Sequence, residues 1–345
     1  MDEFFLTFLA ITYRRPAKLN RLLRVFLDEK WQTLSALKME IVIADDHSED
    51  NTYELIKPTL VELEKNGWSV RYIYRPSNLR GDRNLYQGYA EDSYGKYVWF
   101  LCDDDILKID AALKFIREVE VANPTIAICG FSQGIDKQIS NDLGEQTRLI
   151  ENFDLAVYWI TKFPKTTSYL YKKTTINHFN DHLNRWDGTL FSWVGLAIFL
   201  FKNGNGNGNG DGKLLLFPEI TAEADDEYLN LRYSYRVFGK LYNVVSDCYR
   251  FFDIPLSSLC KTCPHILISD EIVLCLQGLS AHYSYRSLSH YADKILKEEK
   301  YFLMENIFKV FIDRNRLRKF GRLIIIFFLS FFVRLARKAC VILRV

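Results

Sequence analysis

Three consecutive carboxylates follow an apolar run in the stretch YVWFLCDDD, residues 97–105. The like charges of Asp103, Asp104 and Asp105 repel one another, so each needs water, a cation or a hydrogen-bonding ligand to remain ionised. Mg²⁺ and Mn²⁺ take oxygen ligands, commonly one or two carboxylates together with substrate phosphates. The triplet therefore predicts a divalent-metal site, with an acidic helix start as the alternative for Asp105.

Two further polar clusters offer the chemistry that binds a nucleotide. Asp45 and Asp46 end another apolar run, where one of them could hydrogen-bond a base or a ribose; capping of the next helix is the alternative. Arg80, Arg83 and Asn84 belong to a turn in which guanidinium groups could meet phosphate oxygens with two hydrogen bonds. Together with the triplet, these clusters predict a nucleotide diphosphate held by a metal ion.

The elements that position these clusters are strands alternating with helices. Apolar, β-rich runs occur at FFLTFLAIT, EIVIAD, VRYIYR, KYVWFLC and TIAICGF. Helical spacing links Leu19, Leu22, Leu23 and Phe26, and also Leu55, Leu60 and Leu63. Strands separated by helices imply right-handed crossovers and a mostly parallel sheet flanked by helices, an α/β fold with a Rossmann-like nucleotide-binding half. Ligands bind beyond the carboxyl ends of such strands, so four polar loops should converge on one crevice.

The motifs ITYRRP, IVIADDHSEDNT, NLRGDRN and YVWFLCDDDIL, in this order, resemble family 2 glycosyltransferases of the GT-A fold. Within that family they resemble the abequosyltransferase-like branch. The resemblance covers residues 4–130 clearly and residues 131–255 weakly. It implies a nucleotide-sugar donor, a DxD-type site for Mn²⁺ or Mg²⁺, and an inverting displacement assisted by a carboxylate base.

The resemblance also implies roles for single residues. Tyr13 would line the base pocket, Asp45 would contact the base, and Asp103 would contact the ribose. The donor-binding residues predicted in all are Thr12, Tyr13, Asp45, Asp46, Arg80, Arg83, Asn84 and Asp103.

One departure from the family pattern concerns the metal. In the commonest pattern the carboxylate run begins one residue earlier, at the position that Cys102 occupies in this chain. The resemblance gives the metal to Asp104, but this departure leaves the assignment open between Asp104 and Asp105.

A second carboxylate is needed to take the proton of the acceptor hydroxyl group. In the family this base lies just before a helix that follows the acceptor region. Asp187 in NRWDGTLF is the best positional match, and Glu223, Asp225 and Asp226 in TAEADDEY are the alternatives. Helix capping is the other interpretation of these residues, and Asp187 could also form a turn with Gly188.

Length, composition and net charge limit the possible domain size, partners and location of the protein. With 345 residues, 48% of them hydrophobic, the chain can bury one large α/β core and a smaller appendage. A formal net charge of +2 argues against a nucleic-acid partner. The stretch MDEFFLTFLAIT lacks a basic region and a cleavage site, and seven cysteines are few for this length, so we expect no signal peptide and a cytoplasmic location.

The predicted domains are a catalytic domain over residues 1–255 and a helical region over residues 256–345. Within the first, the donor half covers about residues 1–130 and the acceptor half about 131–255. Two motifs have no predicted chemistry. FKNGNGNGNGDGK should be a mobile loop joining strands at LAIFLF and KLLLF, and CKTCPH, a single CxxC, should be ordinary thiols instead of a zinc site.

The C-terminal stretch has a different character. From Arg314 onward there are nine basic residues and no acidic residue, around the apolar segment LIIIFFLSFFV. Eleven helical residues span only about 16 Å, against roughly 30 Å of bilayer hydrocarbon. The segment should therefore lie in the interface on the cytoplasmic face, although a core helix is the alternative. Such a tail suits a glycan acceptor linked to a membrane polyprenyl diphosphate.

Two other classes of protein are alternatives to an enzyme as interpretations of this sequence. A phosphoreceiver domain also clusters aspartates at strand ends, but its acidic pair follows the first strand, whereas Asp45 and Asp46 follow the second. A catalytically inactive, membrane-associated module that binds a nucleotide or a glycan shares every motif above. Metal-dependent nucleotide binding distinguishes the enzyme from that module.

Overall fold

The computed structural model describes residues 4–133, 139–140, 143–162, 165–174, 179–189, 191–204, 212–224, 235–255 and 258–259. The chain divides into two compact units, residues 1–230 and residues 231–345. The predicted boundary after residue 255 stays a prediction. The predicted basic tail, the CKTCPH motif, Asp225 and Asp226 lie outside the described residues, as does most of the Asn-Gly loop.

The described part of the first unit alternates strands and helices over its first half, as the sequence predicts. Its strands are β1 (Phe4–Thr12), β2 (Met39–Asp45), β3 (Ser69–Tyr74), β4 (Gly95–Cys102), β5 (Asp105–Leu107), β6 (Ile126–Gln133), β7 (Ile139–Ser140), β8 (Arg148–Ile150), β9 (Tyr169–Lys172) and β10 (Leu214–Ala224). Its α-helices are α1 (Pro16–Arg24), α2 (Thr52–Lys65), α3 (Gly81–Gln87), α4 (Ile109–Ala122), α5 (Phe153–Lys162), α6 (Phe179–Trp186) and α7 (Ser192–Asn203). The second unit contains α8 (Tyr235–Phe251).

The strands form one mixed sheet in the order β3-β2-β1-β4-β9-β6-β10-β5, with β7 paired to β6 and β8 paired to β10. The donor half is parallel, since β1 pairs in parallel with β2 and β4, and β2 with β3. Beyond β4 the strand β9 runs antiparallel to both of its neighbours, β4 and β6. The prediction of a mostly parallel sheet is confirmed, since β6 and β10 also pair in parallel, while the antiparallel strands make the sheet mixed.

The core is built on the alternation of side chains along β1. Leu6, Phe8 and Ala10 point into one cluster, where the Phe8 ring centroid lies 4.8 Å from that of Phe26 just after α1. Leu9 faces the opposite side of the sheet, where a Cβ atom added to Gly88 would lie 2.7 Å from its Cδ2. Both faces of β1 are thus covered, which explains why its sequence is almost continuously apolar.

One prediction of local structure is wrong. LAIFLF lies inside α7 and is not a strand; its side chains are buried, and a continuous apolar run has no periodicity that separates a buried helix from a buried strand. The helix predicted from Leu55, Leu60 and Leu63 is confirmed as α2, although Leu55 is 38% exposed and the neighbouring Ile56 is buried. KLLLF is correct, since it begins β10.

None of the described helices is both long enough and apolar enough to span a membrane. The predicted interfacial segment lies outside the residues searched, so its membrane contact stays a prediction.

Candidate active site

The loops after β1, β2 and β4 meet through hydrogen bonds at the carboxyl ends of these strands. The backbone N–H of Asp46 donates to the carbonyl oxygen of Thr12 at 3.0 Å, and the N–H of Arg14 donates to Ser48 Oγ at 2.7 Å. Thr12 Oγ1 donates to Asp103 Oδ2 at 2.8 Å, joining residues 91 positions apart. The convergence predicted from the strand order is therefore observed.

The loop after β3 joins the same cluster. The N–H of Arg75 donates to the carbonyl oxygen of Asp45 at 2.9 Å. The N–H of Leu79 donates to Asp46 Oδ1 at 2.6 Å. Burial raises the pKa of Asp46, although the backbone N–H groups of Leu79 and Arg80 oppose the shift. One carboxylate of the acidic pair thus secures the neighbouring loop, and its direct contact with a donor stays a prediction.

Arg15 is the cation that faces the acidic triplet. Its Nη1 donates to Asp103 Oδ1 at 3.1 Å and to Asp104 Oδ2 at 2.9 Å. Burial raises the pKa of Asp103 to about 6, while Thr12 and Arg15 oppose the shift. The predictions missed Arg15, although the Arg-Arg pair in TYRRP was the signal that could have found it.

Thr167, just before β9, holds the other end of the triplet. Its hydroxyl donates to Asp105 Oδ2, and its Oγ1 accepts the N–H of Cys102 at 3.0 Å. Burial raises the pKa of Asp105 to about 7, and the bond from Thr167 opposes the shift. Sequence reasoning had no signal for Thr167, because it lies 62 residues from Asp105 in the chain.

The side chains around this turn fit a divalent cation. Among the described residues, the potential ligand atoms of Cys102, Asp104 and Asp105 all lie within 4.8 Å of one another. Arg15 is bonded to one oxygen of Asp104 and Thr167 to one oxygen of Asp105, so each carboxylate keeps its second oxygen for a ligand. Burial, followed by the charges of Asp105 and Asp104, raises the pKa of the Cys102 thiol. The two carboxylates suit the predicted Mn²⁺ or Mg²⁺ site.

The base is predicted to bind at Asp45, whose carboxylate is held by two neighbouring residues. Its Oδ1 accepts the N–H of Ser48 at 2.8 Å, and its Oδ2 accepts the hydroxyl of Tyr72. Tyr13, 40% exposed, lies in the loop after β1 and offers an aromatic face. The Tyr72 ring lies 5.0 Å from that of Tyr53, between centroids. Aromatic groups and an oriented carboxylate are suited to a nucleobase, and the contacts of Tyr13 and Asp45 stay predictions.

The predicted phosphate-binding residues occupy different environments. Asn84 is 1% exposed, accepts from Arg75 Nε at 2.8 Å and donates to the carbonyl oxygen of Ala44 at 2.9 Å. Asn84 therefore holds α3 against β2. Arg80 is exposed at the start of α3, with a φ of 68° that is uncommon for a residue other than glycine. Phosphate contacts of both residues stay predictions.

Arg83 meets the predicted base. Its Nε donates to Asp187 Oδ2 at 2.8 Å, and its Nη2 donates to Asn184 Oδ1 at 2.9 Å. Asp187 follows the end of α6 and precedes Gly188, whose φ is +74°, so the turn interpretation of Asp187 describes its backbone. The adjacent Asp82 accepts the N–H of Ser192, the first residue of α7, at 3.2 Å.

Consecutive residues of α3 therefore tie the donor side of the sheet to the segment between α6 and α7. The described residues leave Asp187 Oδ1 buried without a hydrogen-bond partner. Among the alternatives for the base, Glu223 accepts from Lys108 Nζ at 2.6 Å. The role of Asp187 as the base stays a prediction.

Comparisons with known proteins identify the family and the fold. The sequence model described as "Glycosyl transferase family 2" matches residues 7–186. The structure of S. aureus TarS 1-349 in complex with UDP is similar with a TM-score of 0.57 and 13% identity, over 84% of this chain and 78% of that one. The same TarS region in complex with UDP-GlcNAc gives a TM-score of 0.53 and 14% identity, over 84% and 79% of the two chains.

A longer TarS structure, at 15% identity and a TM-score of 0.45, aligns over 70% of this chain but only 39% of its own length. A search of curated protein sequences finds no match. At these identities the structural likeness concerns the fold.

Proposed function

The chain belongs to glycosyl transferase family 2 and has the GT-A fold, and from this premise we propose that it transfers a sugar from a nucleotide diphosphate to a glycan hydroxyl group. One observation carries the proposal. The loop after β1 contacts the acidic triplet, with Thr12 and Arg15 bonded to Asp103 and Arg15 also bonded to Asp104. The loop after β2 is bonded to the loop after β1, and the loop after β3 to the loop after β2. This arrangement brings a largely buried carboxylate cluster together with a guanidinium, which supports binding of a metal-associated diphosphate beside them.

We propose a uridine diphosphate sugar as the donor. Both TarS complexes with a TM-score above 0.5 named above carry a uridine nucleotide, UDP or UDP-GlcNAc. In the present chain Tyr13 would stack on the base, Asp45 would accept from it, and Asp103 would accept from the ribose. Tyr72 and Ser48 already fix the Asp45 carboxylate, so the acceptor atoms for the base are held in place before binding.

The reaction develops negative charge on the leaving diphosphate and releases a proton from the acceptor, and we assign these two tasks to different residues. A cation held by Asp104 and Asp105 would neutralise negative charge as it develops on the leaving diphosphate. Arg15 and Thr167 keep these carboxylates in position. Asp187 would accept the proton of the acceptor hydroxyl, with inversion at the anomeric carbon. Arg83 fixes the orientation of the Asp187 carboxylate from the donor side.

The C-terminal sequence supports a proposal for the class of acceptor. A stretch with nine basic residues and no acidic residue surrounds the apolar segment, which suits peripheral binding at the cytoplasmic face of an anionic membrane. We therefore propose an acceptor linked to polyprenyl diphosphate, in polysaccharide or O-antigen type biosynthesis, within the abequosyltransferase-like branch.

Calorimetric titration of UDP, GDP, CDP and dTDP, each with and without Mn²⁺, tests the proposed function. We expect UDP to bind and its affinity to depend on Mn²⁺, because the diphosphate and the carboxylates share the cation. UDP-sugar hydrolysis measured in parallel should show the same metal dependence. Binding that is equal in a chelator and in Mn²⁺ would contradict the proposal and favour an inactive binding module.

Truncation after Asp313 should release the protein from membranes and preserve Mn²⁺-dependent UDP binding. Every donor-site residue named above lies at or before Asp105, about two hundred residues before the basic tail. Interfacial binding by charge is screened by salt, so the full chain should also detach in part at high ionic strength. Flotation with anionic vesicles at low and high salt measures both effects. Flotation of the truncated protein would contradict the peripheral tail, and salt-insensitive flotation of the full chain would indicate insertion.

A further inference from the structure

We propose that the sulfur of Cys102 is a third ligand of the cation site and gives it a preference for softer cations, Zn²⁺, Co²⁺ and Cd²⁺, over Mg²⁺. The inference rests on the proposed function, because it concerns the cation of the same site.

The backbone brings the sulfur to the carboxylates. Cys102 is the last residue of β4, the chain turns at Asp103 and Asp104, and β5 begins at Asp105. This turn places the sulfur of Cys102 and a carboxylate oxygen of each of Asp104 and Asp105 within 4.8 Å of one another. Tetrahedral ligands at about 2.0–2.3 Å from one ion lie about 3.3–3.8 Å apart, so these side chains would have to close by up to about 1 Å to bind one ion.

Thr167 fixes two of these groups at once. Its Oγ1 accepts the N–H of Cys102 at 3.0 Å, and its hydroxyl donates to Asp105 Oδ2. The Cys102 backbone is also held on the other side by β1, through its pairing with Ile11. The backbone of Cys102 and the carboxylate of Asp105 are therefore held by a shared partner, which favours binding of one ion by both side chains.

Among the described residues the other thiols do not share this environment. Cys129 is 0% exposed, and its Sγ accepts from the hydroxyl of Thr221 at 2.7 Å. Cys102 is only partly buried, and the Asp104 side chain beside it is 15% exposed, so an ion can reach the cluster.

The chemistry of the donor set determines the preference. Thiolate is a soft ligand that selects Zn²⁺ and related ions, whereas Mg²⁺ requires oxygen. As the sulfur–metal bond forms, the thiol proton passes to solvent, and the carboxylates supply the remaining negative charge. A site with one sulfur and two carboxylates should still accept Mn²⁺, with a smaller contribution from the sulfur.

Cobalt absorption tests the sulfur–metal bond directly. The full chain is used with Cys260→Ser and Cys263→Ser, which removes the CxxC motif as a competing cobalt site. One equivalent of Co²⁺ should produce a thiolate-to-cobalt charge-transfer band in the near ultraviolet. Zn²⁺ should abolish the band by competition, whereas the same concentration of Mg²⁺ should not.

Single substitutions in this background assign the band. Cys102→Ser should remove it and weaken Zn²⁺ binding by about tenfold or more, while Cys129→Ala, the matched loss of a buried thiol, should keep both. Cys102→Asp should remove the band and strengthen Mg²⁺ binding relative to Zn²⁺. Circular dichroism establishes that each variant is folded.

Absence of the band in the parent protein, or its survival in Cys102→Ser, would overturn the inference. Calorimetry of UDP with Mn²⁺ separates this failure from failure of the proposed function. Mn²⁺-dependent UDP binding without any cobalt–sulfur band would leave the function standing and remove only the sulfur ligand. A band without metal-dependent UDP binding would support the sulfur ligand and contradict the function.

Discussion

Asp104→Asn is expected to lower sugar transfer by at least about a hundredfold, the usual scale for removing one electrostatic stabiliser of developing charge. The Asp104 carboxylate is 15% exposed at the turn after β4 and accepts from Arg15 Nη1 at 2.9 Å. Asparagine has nearly the same shape, but it lacks the charge that attracts both the cation and Arg15. Steady-state transfer from a UDP-sugar gives the size of the loss.

The same substitution should weaken UDP binding in Mn²⁺ and change it little in a chelator. Asp110→Asn is the matched control, because its side chain is 75% exposed and forms an ion pair with Lys30 at the surface. We expect the control to retain activity. Unaltered transfer by Asp104→Asn would remove this residue from the metal site and leave Asp105 as the carboxylate ligand to test.

The location of the site was predictable because it follows from strand geometry. Parallel strands bring their carboxyl ends to one edge, so polar loops after β1, β2, β3 and β4 had to lie near one another. The bond from Thr12 to Asp103 and the bond from Leu79 to Asp46 are the direct consequences. The prediction that these loops meet needs no information about the acceptor half.

The partners that orient the site were less predictable, since they are set by packing between distant segments. Thr167 reaches Asp105 from 62 residues away, and Arg83 reaches Asp187 from 104 residues away. Local patterns carry no information about such contacts. Arg83 and Asp187 were both identified as site residues, but for separate roles, and their pairing emerged only from the fold.

The acceptor half also shows the limit of apolar patterns. The sequence LAIFLF was expected to be a strand, yet it forms part of α7 and is buried on all sides. Periodicity distinguishes a helix from a strand only where one face meets solvent. The antiparallel strand β9 was likewise not anticipated, because YLYK is short and lacks an alternating pattern.

Asp187→Asn is expected to suppress turnover by about 10² to 10⁴-fold, the range contributed by a general base. The described structure leaves Oδ1 of Asp187 without a partner, whereas Oδ2 accepts from Arg83. One oxygen is thus held by Arg83, and the other, buried without a partner among the described residues, is the one to which we assign the proton of the acceptor hydroxyl. Asparagine keeps an oxygen that can accept from Arg83 but cannot serve as a base.

Donor binding should be spared, because the base acts on the acceptor proton and not on the diphosphate. Calorimetry should therefore give the same UDP affinity for Asp187→Asn and for the parent protein, while kcat falls. Glu219→Gln, which ends an exposed ion pair with Lys114, is the control for loss of a carboxylate. It should change neither quantity.

Arg83→Gln separates positioning of the base from binding of phosphate. If Arg83 orients Asp187, its loss should lower kcat and leave UDP affinity nearly unchanged; if it binds the diphosphate, UDP affinity should fall as well. Asp226→Asn provides the decisive comparison for the base. Suppressed turnover with intact UDP binding in Asp226→Asn, together with an active Asp187→Asn, would place the base in the later acidic cluster, and the Arg83–Asp187 pair would then be a structural link between α3 and the segment after α6.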